Sequence, residues 1–264
     1  MRPLLIVKTG DAMARVRARR GDYDAWIRSG LAAETLPVQV ACVHRDESLP
    51  DPESVAGVVV TGSAAMVSHR EAWSEDTARW LAGAVEAGTP ILGICYGHQL
   101  LAHALGGRVG PNARGRQMGT ISLQLDAAGD PLLGELPGEV AVQMTHVEVV
   151  LEFPGGAIRL GTNAMDPHAA FRVGPCAWGL QFHPEFDADI MRGYIEGRRE
   201  LIAGEGGDAD ALLATVRDSS HGPAILARFG ELVRVAEGRR LPGSPAGEGT
   251  PGPGQRLDVE SKNS

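Results

Sequence analysis

The sequence predicts an α/β protein: an open, mostly parallel sheet flanked by helices, with a helical extension at the C-terminal end. Three observations carry this prediction. Short apolar runs at Pro3–Lys8, Pro37–Val43, Val55–Val60 and Pro90–Ile94 have the length and composition of strands buried on both faces. An amphipathic segment, Ser74–Ala87, joins the third run to the fourth, which implies parallel strands and a right-handed crossover. The fourth run turns at once into a helical pattern, Leu100, Leu101, Ala104 and Leu105, stopped by Gly106-Gly107.

Taken in order, Pro3–Lys8 is the first strand, and Thr9-Gly10-Asp11 is the turn at its end. Ala12–Leu31 reads as irregular to helical, with Tyr23, Trp26 and Ile27 on one side. Its basic cluster, Arg15, Arg17, Arg19 and Arg20, reads as a solvated face or as a contact for an anionic partner. Pro37–Val43 is the second strand, with Cys42 as packing, and His44–Pro52 is a polar loop. Val55–Val60 is the third strand and ends in Thr61-Gly62-Ser63. Met66–Trp73 is a loop that leaves His69 on the surface. Ser74 reads as the cap of the following helix, and Gly88 lies past its end. Beyond the Gly/Arg-rich stretch 108–116, Gln117–Leu125 alternates as a strand with one exposed face. Asp126–Pro137 reads as a loop with a short helical turn. Val140–Met144 is a strand, followed by strands at Val149–Leu151, Ala157–Gly161, Ala169–Val173 and Cys176–Phe182, with Cys176 read as core. Asn163–Pro167 is a loop bordering the pocket. Phe186–Ala203 reads as one helix, and Asp208–Ala236 as one or two more. The expected organisation is a main domain over 1–203, a helical extension packed on it over 204–237, and a disordered tail over 238–264, which is rich in Gly, Pro, Ser and Glu.

The chemistry centres on Gly93-Ile-Cys95-Tyr-Gly97. A sharp strand-to-helix corner strains its central residue and pushes that side chain out at the strand's C-terminal end. Cys95 there meets the N-terminus of a helix, where unpaired N–H groups favour a thiolate. The Tyr96 N–H would point at an oxyanion formed on a carbonyl that Cys95 attacks. A free cysteine is most often an inert, buried hydrophobe, but the glycine-flanked corner argues for a nucleophile. Such a nucleophile needs a base and an orienter for the base. Gly179-Leu-Gln-Phe-His183-Pro184-Glu185 offers both, since His183 and Glu185 can project from one end of a strand that Pro184 stops. In an open parallel sheet, ligands bind outside the carboxyl ends of the strands, so Thr61-Gly62-Ser63 should share an edge with Cys95. Gln99, one helical turn after Cys95, falls on the same face. His98 and His103 are five residues apart, a poor spacing for shared ligation on a helix, so no metal is assigned.

These motifs resemble a class I glutamine amidotransferase, a flavodoxin-like fold with a Cys-His-Glu triad. Gly-Ile-Cys-Tyr-Gly-His-Gln and Gln-Phe-His-Pro-Glu are similar to the amidotransferase domain of GMP synthase. The chain resembles more closely the stand-alone GMP-synthase-like amidotransferases and the related gamma-glutamyl peptidases, over about residues 3–235. The resemblance implies Cys95, His183 and Glu185 as the triad. It implies an oxyanion hole from Tyr96 and from Gly62 or Ser63, at a place where GMP synthase commonly has Gly-Gly-Pro. It implies substrate contacts at Gln99 and at Thr145-His146-Val147, where Val147 replaces the glycine of a Ser-His-Gly segment. Related proteins often carry Glu where Gln117 stands. His183 is preferred over His146 as base because only His183 has the His-Pro-Glu context. The implied activity is hydrolysis of the gamma-amide of glutamine or of a gamma-glutamyl compound through a Cys95 thioester, with no cofactor. The ammonia reading calls for a synthetase or acceptor subunit as partner; a stand-alone gamma-glutamyl peptidase does not. A non-catalytic binding protein that keeps the fold is a third reading.

Composition bounds these readings. The 264 residues favour one large domain with a substantial core. A net charge of −8, from 25 basic and 33 acidic residues, argues against nucleic-acid binding. No apolar run reaches the length of a membrane span, and no signal-peptide pattern is present. Three widely spaced cysteines, Cys42, Cys95 and Cys176, form neither a disulfide framework nor a zinc site and suit the cytoplasm. Without a Gly-Lys-Ser/Thr phosphate loop, ATP use within this chain lacks its usual signature.

Overall fold

Residues 1–32 and 36–240 are described by the structure, a computed structural model. The first half alternates strand and helix. β1 (Leu4–Lys8) leads to α1 (Ala14–Arg20), α2 (Tyr23–Gly30) and β2 (Val38–Cys42). β3 (Gly57–Val60), α3 (Ala72–Glu86), β4 (Ile91–Ile94) and α4 (Tyr96–Ala104) follow. The second half is mostly strand: β5 (Arg108–Pro111), β6 (Gln117–Leu125), β7 (Glu139–His146), β8 (Glu148–Glu152), β9 (Ala157–Thr162), β10 (Ala170–Val173) and β11 (Ala177–Leu180). Helices α5 (Ala188–Gly197), α6 (Arg199–Gly204), α7 (Ala209–Thr215) and α8 (His221–Arg240) close the described chain.

Nine strands form one mixed sheet in the order β2-β1-β3-β4-β11-β10-β9-β6-β7. The five from β2 to β11 are parallel, and the rest extend the sheet antiparallel from β10 onward. Strand alternation divides β1 between two cores. Leu4 and Ile6 join Ile27, Trp178, Leu226 and Phe229, while Leu5 and Val7 face the side of Leu81, Leu100 and Leu101. The carboxyl ends of β1, β3, β4 and β11 therefore open on one edge, at Thr9, Thr61, Cys95 and Gln181. The α/β architecture expected from the sequence is present.

Several local expectations are corrected. Ser74 does not cap α3: the helix begins at Ala72 with Glu71 in the cap position, and buried Ser74 meets the Tyr96 hydroxyl at 2.6 Å. Phe186–Ala203 is two helices, because the chain breaks at Arg198 (φ −115°, ψ 14°). Arg108–Pro111 is a strand that pairs with β8 in a separate two-stranded sheet. Cys176 is half-buried at the rim of the core, before β11 begins. Of the two readings of the basic cluster, the solvated face holds: all four arginines are exposed, and they pair with acids of this chain. Arg15 pairs with Glu196, Arg17 with Asp11, and Arg20 with Asp187 and Asp189. Helix α8 runs through residues 238–240, which the sequence placed in the tail. The remaining tail residues lie outside the described chain. Among the described residues no helix is long and apolar enough to cross a membrane.

Candidate active site

The corner after β4 is built by close backbone approach. A Cβ on Gly93 would lie 2.4 Å from the Gly97 carbonyl oxygen, and one on Gly97 would lie 2.4 Å from the Val60 carbonyl oxygen. Neither position has room for a side chain, which explains the glycines on both sides of Cys95. Cys95 itself has φ 53°, ψ −99°, in the left-handed half of backbone space that a non-glycine residue enters at a cost. Its N–H is held by the Leu180 carbonyl at 2.8 Å, and its carbonyl accepts from Gln99 N–H at 3.1 Å. The Gly97 N–H donates to Thr61 O at 3.2 Å, locking helix α4 to the end of β3. Tyr96 N–H lies in the first turn of α4, among the donors that have no intrahelical acceptor.

Strand β11 ends at Leu180, three residues earlier than the His-Pro-Glu segment needs if it is to lie on the strand. His183 and Glu185 instead sit in the following turn, which the Phe186 N–H closes on the His183 carbonyl at 3.3 Å. The pairing survives this correction: His183 Nδ1 and Glu185 Oε1 are 2.7 Å apart, both side chains buried. His183 N–H donates to Gln143 O at 2.8 Å, tying the turn to β7. The ring stacks on Phe186 with centroids 4.1 Å apart, and Tyr23 lies parallel at 6.3 Å. A Cβ on Gly62 would be 2.8 Å from His183 Cε1 and 3.7 Å from Cys95 Cβ, so glycine keeps the space between the two open. Burial opposes a charged imidazole, but the Glu185 carboxylate and the neighbouring Cys95 sulfur outweigh it and lift the His183 pKa to about 10. A histidine in this position is held as imidazolium.

Of the residues expected to touch substrate, Ser63, Gln99, Thr145, His146 and Val147 line one cleft with Cys95 and Tyr96. Gly62 lies behind them, against the His183 ring. Gln99 is buried, and its Nε2 donates to Glu148 O at 2.7 Å and Gln181 Oε1 at 3.0 Å. The Ser63 hydroxyl donates to Thr9 O at 2.8 Å and braces the loop from within. The Thr145 carbonyl lies 3.8 Å from Cys95 Sγ. His146 is buried between the Glu148 carbonyl, 3.1 Å from Nδ1, and the Gln117 amide oxygen, 3.2 Å from Nε2. Burial lowers its pKa to about 4, which leaves it neutral, with a single N–H to donate to one of these two oxygens. His98 is sealed in the core beside Phe171, and burial lowers its pKa to about 3. His103 instead faces Glu75 at 2.9 Å. Among the described residues no group of three or more His, Cys, Asp or Glu is placed to hold a metal ion.

Sequence reasoning missed four residues. Tyr23 and Phe186 support the His183 ring, and Glu148 and Arg198 line the cleft. Tyr23 was visible only as an apolar position of α2. Glu148 and Arg198 carried no motif, and only folding brings them to Cys95.

A family model described as glutamine amidotransferase class-I matches residues 22–195. Among curated relatives, GMP synthase [glutamine-hydrolyzing] of Heliobacterium modesticaldum is 36% identical over 148 residues, covering 53% of this chain and 27% of the relative. The enzyme of the same name from Streptococcus pneumoniae is 41% identical over 117 residues, covering 41% of this chain and 22% of the relative. The chain thus matches about a quarter of the length of these relatives. Among solved structures, a glutamine amidotransferase from Thermotoga maritima superposes with TM-score 0.69 at 22% identity, over 90% of this chain and 99% of that one. A glutamine amidotransferase from Methylobacillus flagellatus gives TM-score 0.67 at 20% identity, over 95% and 99%. These two likenesses concern the fold, and the sequence match over residues 22–195 carries the assignment: the chain belongs to the class I glutamine amidotransferase family.

Proposed function

We propose that this chain hydrolyses the gamma-carboxamide of glutamine through a thioester on Cys95. The observation that carries the reading is the Cys95 corner beside a buried His183–Glu185 pair, 2.7 Å between nitrogen and oxygen. The names of the glutamine-hydrolyzing relatives support it. In this mechanism the Cys95 proton already rests on His183 before substrate arrives, and Glu185 stabilises that imidazolium beside the thiolate. The thiolate attacks the gamma-carbonyl, and N–H groups of Tyr96 and of Gly62 or Ser63 receive the oxyanion. The C–N bond breaks as His183 protonates the leaving ammonia, and a glutamyl thioester remains. Water then gives a proton to His183 and its oxygen to the carbonyl. The C–S bond breaks, releasing glutamate and the thiolate.

A second reading has its own observation. A cleft of about 870 Å³ adjoins the Cys95 cleft, sharing Arg116 and Val147 with it, and carries Met118, Ile121, Ile202 and Leu212 on its walls. That space suits a gamma-glutamyl compound whose leaving amine is larger than ammonia. Under the ammonia reading, a synthetase subunit receives the product. The test is glutamate release from glutamine and from gamma-glutamyl dipeptides, with Cys95→Ala as the blank. Turnover that persists in Cys95→Ala refutes the mechanism. The substrate preference of the wild-type chain separates the two readings.

A further inference from the structure

Arg198 stands at the break between α5 and α6, where its backbone leaves helical geometry and its side chain enters the Cys95 cleft. Two contacts hold it in place. One N–H donates to Thr145 Oγ1 at 3.2 Å, and the guanidinium lies 5.0 Å from the centre of the Tyr194 ring. A guanidinium carries five N–H donors, so these contacts leave most of them uncommitted. Among the described residues no carboxylate lies within ion-pair distance of Arg198. The contrast with its neighbour is direct: Arg116, which lines the same cleft, is held by Glu205 through two bonds at 2.7 and 2.9 Å. Glu148, an acid lining the cleft, is engaged by the hydroxyl and N–H of Ser68. Burial lowers the Arg198 pKa from its ordinary value, the sign of a cation partly withdrawn from water without a matching anion. A desolvated, uncompensated charge costs stability, and an incoming anion recovers that cost.

We propose that Arg198 binds a carboxylate of the amide substrate and makes this cleft selective for anionic amides. The planar fork of the side chain matches a carboxylate through two parallel hydrogen bonds. The inference rests on the reading of Cys95 as the acylated nucleophile, because that reading puts the substrate in this cleft. The carboxylate has two sources of the same chemistry: the alpha-carboxylate of the glutamyl group, or the carboxylate of a departing amino acid.

Four substrates distinguish the sources: glutamine, glutamine alpha-amide, gamma-glutamylglycine and gamma-glutamylglycinamide. Each pair differs by one carboxylate, on the glutamyl side or on the leaving side. In the wild-type chain at least one pair should favour the charged member by about 10–100-fold in kcat/KM, expressed mainly in KM. In Arg198→Gln that ratio should collapse to about one, and Arg198→Lys, which keeps a cation but not the fork, should fall between. Thermal melts of both variants check that the fold is intact. If Arg198→Gln slows both members of each pair equally, Arg198 serves the thiol or the packing, and the proposal is overturned. An unchanged ratio overturns it as well. Calorimetric binding of the same four ligands to Cys95→Ala separates this inference from the proposed reaction. Arg198-dependent binding without any wild-type turnover supports the carboxylate site and refutes the thioester mechanism. Neither turnover nor Arg198-dependent binding overturns both.

Discussion

At the residue scale, the His183–Glu185 pair sets the pH behaviour of the proposed reaction. The folded-state pKa of His183 is raised, so the pair's contribution to stability is fully present below the ordinary value of 6.5 and is lost as pH rises toward about 10. The alkaline limb of kcat/KM should follow the same group. Glu185→Gln keeps the size of the side chain but removes the charge that outweighs burial. The His183 pKa then falls, and the alkaline limb moves to lower pH by more than about one unit, with kcat at pH 8 reduced on the order of 10²-fold or more. A pH–rate profile of the variant checks this; an unmoved limb would show that another group sets it. These residues were legible in the sequence because each sits in a short motif: glycine on both sides of Cys95, and proline between His183 and Glu185. Arg198 was not legible, because it is one of several arginines in a helix of interleaved charge and has meaning only beside Thr145 and Cys95.

At the element scale, the corner between β4 and α4 depends on two glycines packed against backbone, not against movable side chains. Gly97→Ala places a methyl group 2.4 Å from the Val60 carbonyl oxygen, so β3 and α4 must separate. The expected cost is about 3 kcal/mol, a fall in melting temperature of roughly 6–12 °C, with activity lost as Cys95 is displaced. A melt within a degree of wild type would contradict this account of the corner. The same scale shows where sequence patterns stop being informative. Apolar runs located β1, β3 and β4 within a residue or two, because strands buried on both faces are continuous apolar stretches. The start of α3 was misjudged because Ser74, a good capping residue, is instead used as a buried partner for Tyr96. Strand β5 was missed because its identity comes from pairing with β8 and not from its own Gly/Arg-rich composition.

At the scale of the whole molecule, the C-terminal helix is part of the core. Ile225, Leu226, Phe229 and Val233 of α8 belong to the cluster that contains Leu4, Ile27 and Trp178, and Glu237 returns to Arg2 at 2.6 Å. A Cβ on Gly30 would lie 2.4 Å from Leu226 Cδ1, so α2 and α8 cross at a glycine. We propose on this basis that residues 204–237 fold with the main domain and not as a separate unit. Phe229→Ala should cost about 3–5 kcal/mol and lower the single thermal transition of the whole chain. A separate early transition, with the main one unmoved, would mean that the extension unfolds alone. The apolar positions of this helix were visible in the sequence, but the surface they cover was not, since it is assembled from β1, α2 and β11. Arg15, Arg19 and Arg20 of α1 were open for the same reason: their acidic partners at Asp187, Asp189 and Glu196 lie some 170 residues away in sequence.

Covalent capture shows whether Cys95 attacks a glutamine-like carbonyl. The purified chain would be incubated with a glutamine-analogue diazo ketone and its intact mass measured, followed by peptide mapping. One adduct per chain is expected, on Cys95, blocked by excess glutamine and absent in Cys95→Ala. A well-folded chain that takes up no adduct, or carries it on Cys42 or Cys176, would rule out Cys95 as the nucleophile.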